Sequence, residues 1–299
     1  MDLWADVRAS VLQTLPFDRS DPKIAQALAD MPVPELVVRF YNWLGRLIHP
    51  HSRNIHRSQE FISSGTLKER SEDIEILLTK IANGTDLGPS LSKYIKIGYV
   101  YDSNMQNKNL NRRYDLDLLL NDWGIHHLHI SQKICPDGFV KRDGPLLFAM
   151  FTEDDCYVLD IMKHGVWTNQ HLVEVAVRNW PDAGLFIALQ GVIGTQSSRA
   201  GYQYTAEDRK KLRGAGIATF IEVDRKFYMP RSGSISSAGN SSGTTMQAQK
   251  LLKGLKYVTE GLSNDPEFLK PHFDRLGVRH PSSRTFVPSL LTHLVRGDG

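Results

Sequence analysis

Three histidines occur within four consecutive positions of the segment WGIHHLHIS, which begins at Trp123. If this segment is a β-strand, alternate side chains share a face, so His127 and His129 lie side by side, about 7 Å apart along the strand. His126 then shares the opposite face with two aliphatic side chains, and we expect that face to be the core face. The sequence therefore predicts a pair of imidazoles on one face of a strand.

Two neighbouring imidazoles can transfer protons at neutral pH, because histidine titrates near pH 6.5. Such a pair could cleave RNA without a metal, one ring taking the proton of the 2′-hydroxyl and another protonating the leaving oxygen. Arg142, Lys163 or Arg113 would stabilise the charge that develops on the phosphate. His164 ends the predicted strand CYVLDIMKH and could join the pair at one end of the sheet.

Two other interpretations of these histidines stay open. Neutral imidazoles also bind transition metals, but the His-x-His spacing alone is weak evidence for such a site. The chain has two cysteines and no Cys-x-x-Cys pair, which argues against a zinc-thiolate site. The histidines could instead be structural and hydrogen-bonded to the backbone. We therefore expect a site with neither metal nor cofactor.

A second group of cations and histidines lies in RLIHPHSRNIHRS, a stretch between Glu35 and Glu60 that contains no acid. Local positive charge of this kind can contact phosphates. The predicted RNA-binding residues are Arg46, His51, Arg53, His56 and Arg57, together with Arg113 further along the chain. The alternative is a solvated loop whose charges pair with acids elsewhere in the fold.

Apolar periodicity predicts the elements that must position these residues. Up to residue 100 it indicates helices over 3–15, 22–31, 34–48 and 66–82, with an extended or irregular basic loop after Pro50. Beyond residue 100 it indicates a helix over 111–123, the histidine strand, a β-hairpin formed by LLFAMF and CYVLDIMKH, and a helix over 168–180 capped by Thr168.

The rest of the chain continues the mixed pattern. A strand is predicted in GLFIALQGVIG, a helix capped by Thr205 follows it, and one or two strands turn around Asp224 and Arg225. The segment RSGSISSAGNSSGTT is of low complexity and is expected to be flexible. A helix over about 245–262 is predicted in the tail.

These elements predict an α+β fold. We expect a helical N-terminal region over residues 1–100, an α+β catalytic domain with a central antiparallel sheet and flanking helices over 101–230, and a Ser/Gly-rich linker with a helical tail over 231–299.

Composition narrows the class of protein. The 299 residues are 41% hydrophobic and 23% charged, with a formal charge of +3, as expected for a globular chain with a real core. We expect a cytoplasmic, bacterial protein without a membrane partner, because no apolar run reaches the roughly 18 residues of a membrane span. GxGxxG and the P-loop lysine are absent, which excludes those two nucleotide-binding motifs.

The order of these motifs resembles the core of RelE-superfamily toxins, most closely the YafO-type branch. A helix is followed by WGIHHLHIS, a polar loop, the strand LLFAMF, an acidic turn and the strand YVLDIMKH with its final histidine. The resemblance covers about residues 112–180 and places His127, His129 and His164 at the family's matching positions. It implies a RelE-like core, endoribonuclease activity on mRNA or at the ribosome, and an antitoxin as protein partner.

The sequence thus leads to one main hypothesis and one alternative. The main hypothesis is a toxin-like endoribonuclease that uses histidine acid–base catalysis and belongs to a toxin–antitoxin or phage-defence module. The alternative is a non-catalytic module that binds nucleic acid or protein and whose histidines are structural.

Overall fold

The computed structural model describes residues 2–101, 110, 113–163, 170–191, 204–265 and 267–276. It combines two β-sheets with many helices, so the predicted α+β class is confirmed. Each helix within these ranges is too short or too polar to span a lipid bilayer.

The N-terminal helices form one layer with the long helix near the C-terminus. They are α1 (Leu3–Thr14), α2 (Pro22–Asp30) and α3 (Val33–Leu44), and their partner is α10 (Ser242–Asn264). α1 and α2 begin at aspartates whose carboxylates accept backbone N–H groups, a preferred start for a helix. Their apolar faces share one core cluster with α10, so the predicted tail helix packs on the N-terminal region.

A four-stranded sheet occupies the centre of the molecule. Its strands are β1 (Asn54–Arg57), β2 (His126–His129), β3 (Leu146–Phe151) and β4 (Asp155–Met162), in the order β1-β4-β3-β2. The predicted β3–β4 hairpin is confirmed, and β2 pairs with β3 in antiparallel fashion. Of the extended or irregular loop predicted after Pro50, residues 54–57 form a strand, because the edge of β4 pairs with them in parallel.

Both faces of this sheet are buried. One face packs on α8 (His171–Asn179) and a small second sheet, and the other packs on α4 (Gln59–Ser63) and α6 (Ser71–Ala82). The prediction of a single core face for the histidine strand is therefore incomplete. Leu128 is buried on the expected face, and Ile125 is equally buried on the face that carries His127 and His129.

The second sheet contains β5 (Phe186–Ala188), β6 (Ile221–Val223) and β7 (Lys226–Pro230), in the antiparallel order β5-β7-β6. The predicted turn between β6 and β7 is confirmed: φ is +48° at Asp224 and +63° at Arg225, as a two-residue hairpin turn requires. Helix α9 (Ala206–Gly214) begins at the predicted cap, where Thr205 and Asp208 form a capping box.

Two helix boundaries differ from the prediction. Helix α7 extends only from Leu118 to Trp123, because the Asp117 carboxylate accepts the Leu120 N–H and caps the helix there. The following helix is described from His171 onwards, and Thr168, its predicted cap, lies outside the described residues. The remaining short helices are α5 (Gly65–Glu69) and α11 (Lys270–Leu276).

The Ser/Gly-rich segment packs into the fold over its described residues, although its composition predicts a flexible linker. An isolated antiparallel β-bridge joins Ile235 and Ser241 within it. Asn121 donates to the carbonyl of Gly239 over 2.7 Å, and that glycine is buried with a φ of +83°. Small side chains allow this close approach to α7, which composition alone does not reveal.

Contacts also cross the predicted domain boundaries. β1 comes from the first 100 residues and yet pairs with β4 of the central sheet. α10 follows the Ser/Gly-rich segment and packs against α3. The catalytic domain predicted over 101–230 therefore shares its sheet with residues before it, and its Leu110 and Leu116 pack in one cluster with Ile235 after it.

We predict that Gly239→Ala destabilises the protein more than Gly138→Ala. The two glycines have nearly equal φ values, +83° and +84°, so an alanine is strained at both, by about 1–2 kcal/mol. A Cβ at position 239 would lie 2.5 Å from Leu116 Cδ1, whereas nothing lies within 4 Å at position 138.

The additional loss at position 239 should be about 1–3 kcal/mol, the usual cost of overpacking. Urea unfolding of both variants measures the difference in the free energy of unfolding. Equal losses would contradict the close packing of the Ser/Gly-rich segment.

Candidate functional site

A cleft of about 690 Å³ opens beside the edge strand β2. Its described lining includes His126, His127 and His129, six cationic side chains and a single carboxylate, Asp117. The cations are Arg46, Lys93, Arg113, Arg142, Lys210 and Arg213. An excess of cations over acids in one concave site favours an anionic ligand such as a phosphate.

Arg142 connects the histidine strand to the opposite wall of the cleft. Its Nη1 donates to His129 Nε2 over 2.6 Å, and its Nη2 donates to the carbonyl of Leu91 over 2.8 Å. Since a guanidinium only donates, Nε2 is the acceptor and His129 is a neutral ring with its proton on Nδ1. Burial lowers the pKa of Arg142 from its ordinary value.

His127 faces the carboxylate that caps α7. Its Nδ1 lies 3.5 Å from Asp117 Oδ2, while Asp117 Oδ1 accepts the Leu120 N–H over 3.1 Å. The cap thus holds the carboxylate in place, and the second oxygen is presented to the imidazole. A carboxylate beside Nδ1 orients a histidine and stabilises its protonated form, which suits proton transfer through the other ring nitrogen.

His126 lies on the opposite face of β2, with its ring edge-on to Phe151 at a centroid distance of 5.4 Å. Burial is the main cause that lowers its pKa to about 4; Asp117 opposes this effect, and His127 and Arg53 add to it. The ring is therefore neutral at pH 7, which fits a packing role better than a role in acid catalysis.

The end of β4 lies level with His129 across the sheet. Leu146 pairs with His129 on one side and with Met162 on the other, so two strand spacings, about 10 Å, separate His129 from Met162. Lys163 follows Met162 and does not line the cleft formed by the described residues. His164, predicted to join the pair, lies outside the described residues.

Two arginines of the basic stretch have structural partners. Arg46 is 4% exposed and donates to the carbonyls of Tyr94 and Ile97 over 2.9 and 2.7 Å. Burial lowers its pKa to about 10, so it remains charged at neutral pH. Arg53 donates to the carbonyl of Thr152 over 3.0 Å, and its guanidinium lies over the Phe151 ring.

The other members of that stretch pair with acids. Arg57 forms two hydrogen bonds with Glu75, of 2.9 and 2.8 Å. His56 Nε2 lies 2.8 Å from Asp155 Oδ1, and His51 Nε2 lies 3.6 Å from Asp154 Oδ1. These contacts correspond to the alternative interpretation, in which the charges pair within the fold.

The fold separates these residues from the histidine pair. β1 and β2 form opposite edges of the central sheet, so His56 and Arg57 lie away from His127 and His129. Arg46 and Arg113 are the predicted RNA-binding residues that line the cleft, and Arg113 forms an ion pair with the buried Asp115. RNA binding by the basic stretch stays a prediction.

Sequence reasoning missed several residues of the cleft. Asp117 could have been found as a helix cap placed shortly before the histidine strand. Lys93 and Tyr94 lie in one turn and Lys210 lies in a distant helix, and no local pattern indicates that they converge. Among the residues whose positions are described, no three His, Cys, Asp or Glu side chains converge to hold a metal ion.

Comparisons of the chain with protein-family profiles, with curated proteins and with solved structures found no match. The features that bear on function are therefore those of the cleft itself: a partly buried Arg–His contact, a His–carboxylate contact and an excess of cations in the lining.

We predict that His126→Gln removes part of the acid sensitivity of folding. The unfolded chain takes up a proton on His126 near pH 6.5, whereas the folded chain does so only near pH 4. The contribution of the neutral ring to the free energy of unfolding is therefore fully present above pH 6.5. It is lost as the pH falls from 6.5 towards 4.

Urea unfolding of wild type and variant at several pH values in this window measures the effect. The free energy of unfolding should decrease less steeply with falling pH in the variant. Parallel pH profiles would show that this buried ring does not couple folding to protonation.

Proposed function

We propose that the cleft is the active site of a metal-independent endoribonuclease that uses histidine acid–base chemistry. The observation that carries the proposal is the arrangement of His127 beside Asp117 and His129 against Arg142 in one positively charged cleft. Phosphodiester cleavage needs a proton acceptor at the nucleophile and positive charge at the phosphate, and these two contacts supply both.

In this mechanism Arg142 is the phosphate-binding group. Its guanidinium is held by His129 and by the Leu91 carbonyl, so it loses little conformational freedom when a phosphate binds. Arg113 and Lys93 line the same cleft and add positive charge beside the backbone of the substrate.

His127 is the proton acceptor. It takes the proton of the 2′-hydroxyl while that oxygen attacks phosphorus, and Asp117 stabilises the imidazolium that forms. The bond from phosphorus to the 5′ oxygen breaks, and that oxygen takes a proton from a second acid. The sequence offers His164 for this role, because His129 is neutral with its Nε2 accepting from Arg142. The products are a 2′,3′-cyclic phosphate and a 5′-hydroxyl end.

The cellular role belongs to the same proposal. The resemblance of residues 112–180 to RelE-superfamily toxins supports a toxin-like enzyme that acts on mRNA or at the ribosome. A toxin of this kind needs a neutralising antitoxin in a toxin–antitoxin or phage-defence module. The helix layer formed by α1, α2, α3 and α10 then lies outside the part of the chain that the resemblance covers.

We predict that His127→Ala reduces cleavage of a single-stranded RNA by about 10²–10⁴-fold, as expected for a lost proton-transfer group. Arg142→Lys keeps the charge but loses the planar fork, so it should also be slow. The readout is the appearance of 2′,3′-cyclic phosphate ends in the presence of a chelator.

His171→Ala is the matched control. It removes a histidine that also contacts a carboxylate, with its Nε2 3.1 Å from Asp160 Oδ2, but it is not part of the described lining of the cleft, so cleavage should continue at the wild-type rate. Expression of the wild type should inhibit growth, and His127→Ala should relieve that inhibition. If His127→Ala and His129→Ala fold and still cleave as the wild type does, the assignment of the active site is wrong.

A non-catalytic binding module is the second candidate. The observation that favours it is the 2.6 Å contact of Arg142 with His129 Nε2, which engages the lone pair that a general base would need. This candidate predicts that RNA binds without cleavage, and that Arg142→Lys weakens the binding while His127→Ala leaves it unchanged.

A further inference from the structure

Two tyrosines stack on each other at the rim of the cleft. Tyr94 and Tyr114 have ring centroids 4.9 Å apart and an interplanar angle of 25°. They are 46% and 51% exposed, and both line the cleft that contains the histidine pair. Each ring covers one face of the other. Since each tyrosine is still about half exposed, part of its surface remains open to solvent.

The backbone that carries Tyr94 is held by buried side chains. Arg46 donates to the Tyr94 carbonyl over 2.9 Å, and Trp43 Nε1 donates to the Ile95 carbonyl over 2.8 Å. Ser92 also caps this turn by accepting the Tyr94 N–H. A buried arginine and an indole thus fix the position of an exposed ring.

Tyr114 is supported in a similar way from the other side. The next residue, Asp115, is 2% exposed and forms an ion pair with Arg113. Asn42, which is also buried, donates to the Asp115 carbonyl over 3.2 Å. Both rings therefore project from a fixed backbone, and a ligand that stacks on them would order little of the protein.

We propose that this tyrosine pair is a stacking platform for an unpaired nucleobase, so the ligand of the cleft is single-stranded RNA. This inference rests on the proposed function for the identity of the ligand. Exposed aromatic rings beside cationic side chains are the usual means of holding a single strand, the rings taking bases and the cations taking phosphates. Lys93 and Arg113 adjoin the two tyrosines in sequence and line the same cleft.

The platform also implies selectivity against duplexes. A base in a double helix is already stacked between its neighbours and paired, so it can reach the tyrosines only after it leaves the helix. Phosphate contacts alone would accept a duplex as readily as a single strand.

The test is a binding measurement that does not depend on cleavage. The probe is a short, fluorescently labelled oligoribonucleotide with 2′-O-methyl groups, which removes the attacking hydroxyl. Fluorescence anisotropy gives its Kd for wild type, Tyr94→Ala, Tyr114→Ala and the corresponding phenylalanine variants. Tyr257→Ala is the control, since Tyr257 is 60% exposed on α10 and contacts Phe268 rather than the cleft.

We expect each alanine variant to weaken binding roughly 5- to 150-fold, the factor that corresponds to about 1–3 kcal/mol per stacked base. The phenylalanine variants and Tyr257→Ala should bind like the wild type. An abasic oligonucleotide of the same length and charge should bind the wild type weakly and should not distinguish the variants. Thermal unfolding checks that every variant is folded.

The outcomes separate the platform from the proposed catalysis. If the folded alanine variants bind the single strand as tightly as the wild type, or if a duplex binds equally well, the platform is wrong even where RNA is cleaved. If binding depends on both tyrosines while wild-type protein cleaves no RNA, the platform stands and the endoribonuclease does not. If the wild type binds no oligonucleotide, both fail.

Discussion

Arg142 joins the two walls of the cleft through its contacts with His129 and with the Leu91 carbonyl. A charged guanidinium removed from water is costly unless its N–H groups find acceptors, and the 2.6 and 2.8 Å contacts supply two of them. One acceptor lies on the edge strand β2 and the other on the segment that forms the facing wall. The requirement to satisfy one half-buried cation therefore ties the two walls together.

Two further arginines extend the same principle around the cleft. Arg46 holds the turn at Tyr94 through two carbonyls, and Arg213 donates to the buried Asp122 over 2.8 Å while its guanidinium lies over the Trp123 ring. Each buried cation joins segments far apart in the chain, and each lines the cleft. The positive field of the site and the mechanical support of its walls therefore come from the same side chains, which makes substitution of any of them affect both.

The sequence correctly predicted the structural features that depend on residues close together in the chain. The alternation of a strand places His127 and His129 on one face, the Asp224–Arg225 turn requires positive φ values, and Thr205 with Asp208 caps a helix three residues away. The wrong or incomplete predictions concern segments whose structure depends on contacts with residues far away in the chain. Asn54 pairs with Asp155, about a hundred positions later, and this pairing turns an expected loop into a strand. Gly239 packs on Leu116, so a segment whose composition indicates flexibility is ordered by the surface that it meets.

The same distinction separates charge density along the chain from charge density in space. The stretch around Arg53 and Arg57 is rich in cations and free of acids, yet its described charges meet carbonyls and carboxylates from other segments. The cleft draws its cations from positions 46, 93, 113, 142, 210 and 213, most of them far apart in sequence. Electrostatic potential depends on distance in space, and folding can bring charges from separate segments into one cleft. The cations of the cleft have partners as well, Lys93 with Asp137, Arg113 with Asp115 and Arg213 with Asp122, and their convergence beside the imidazoles is not visible in any window of the sequence.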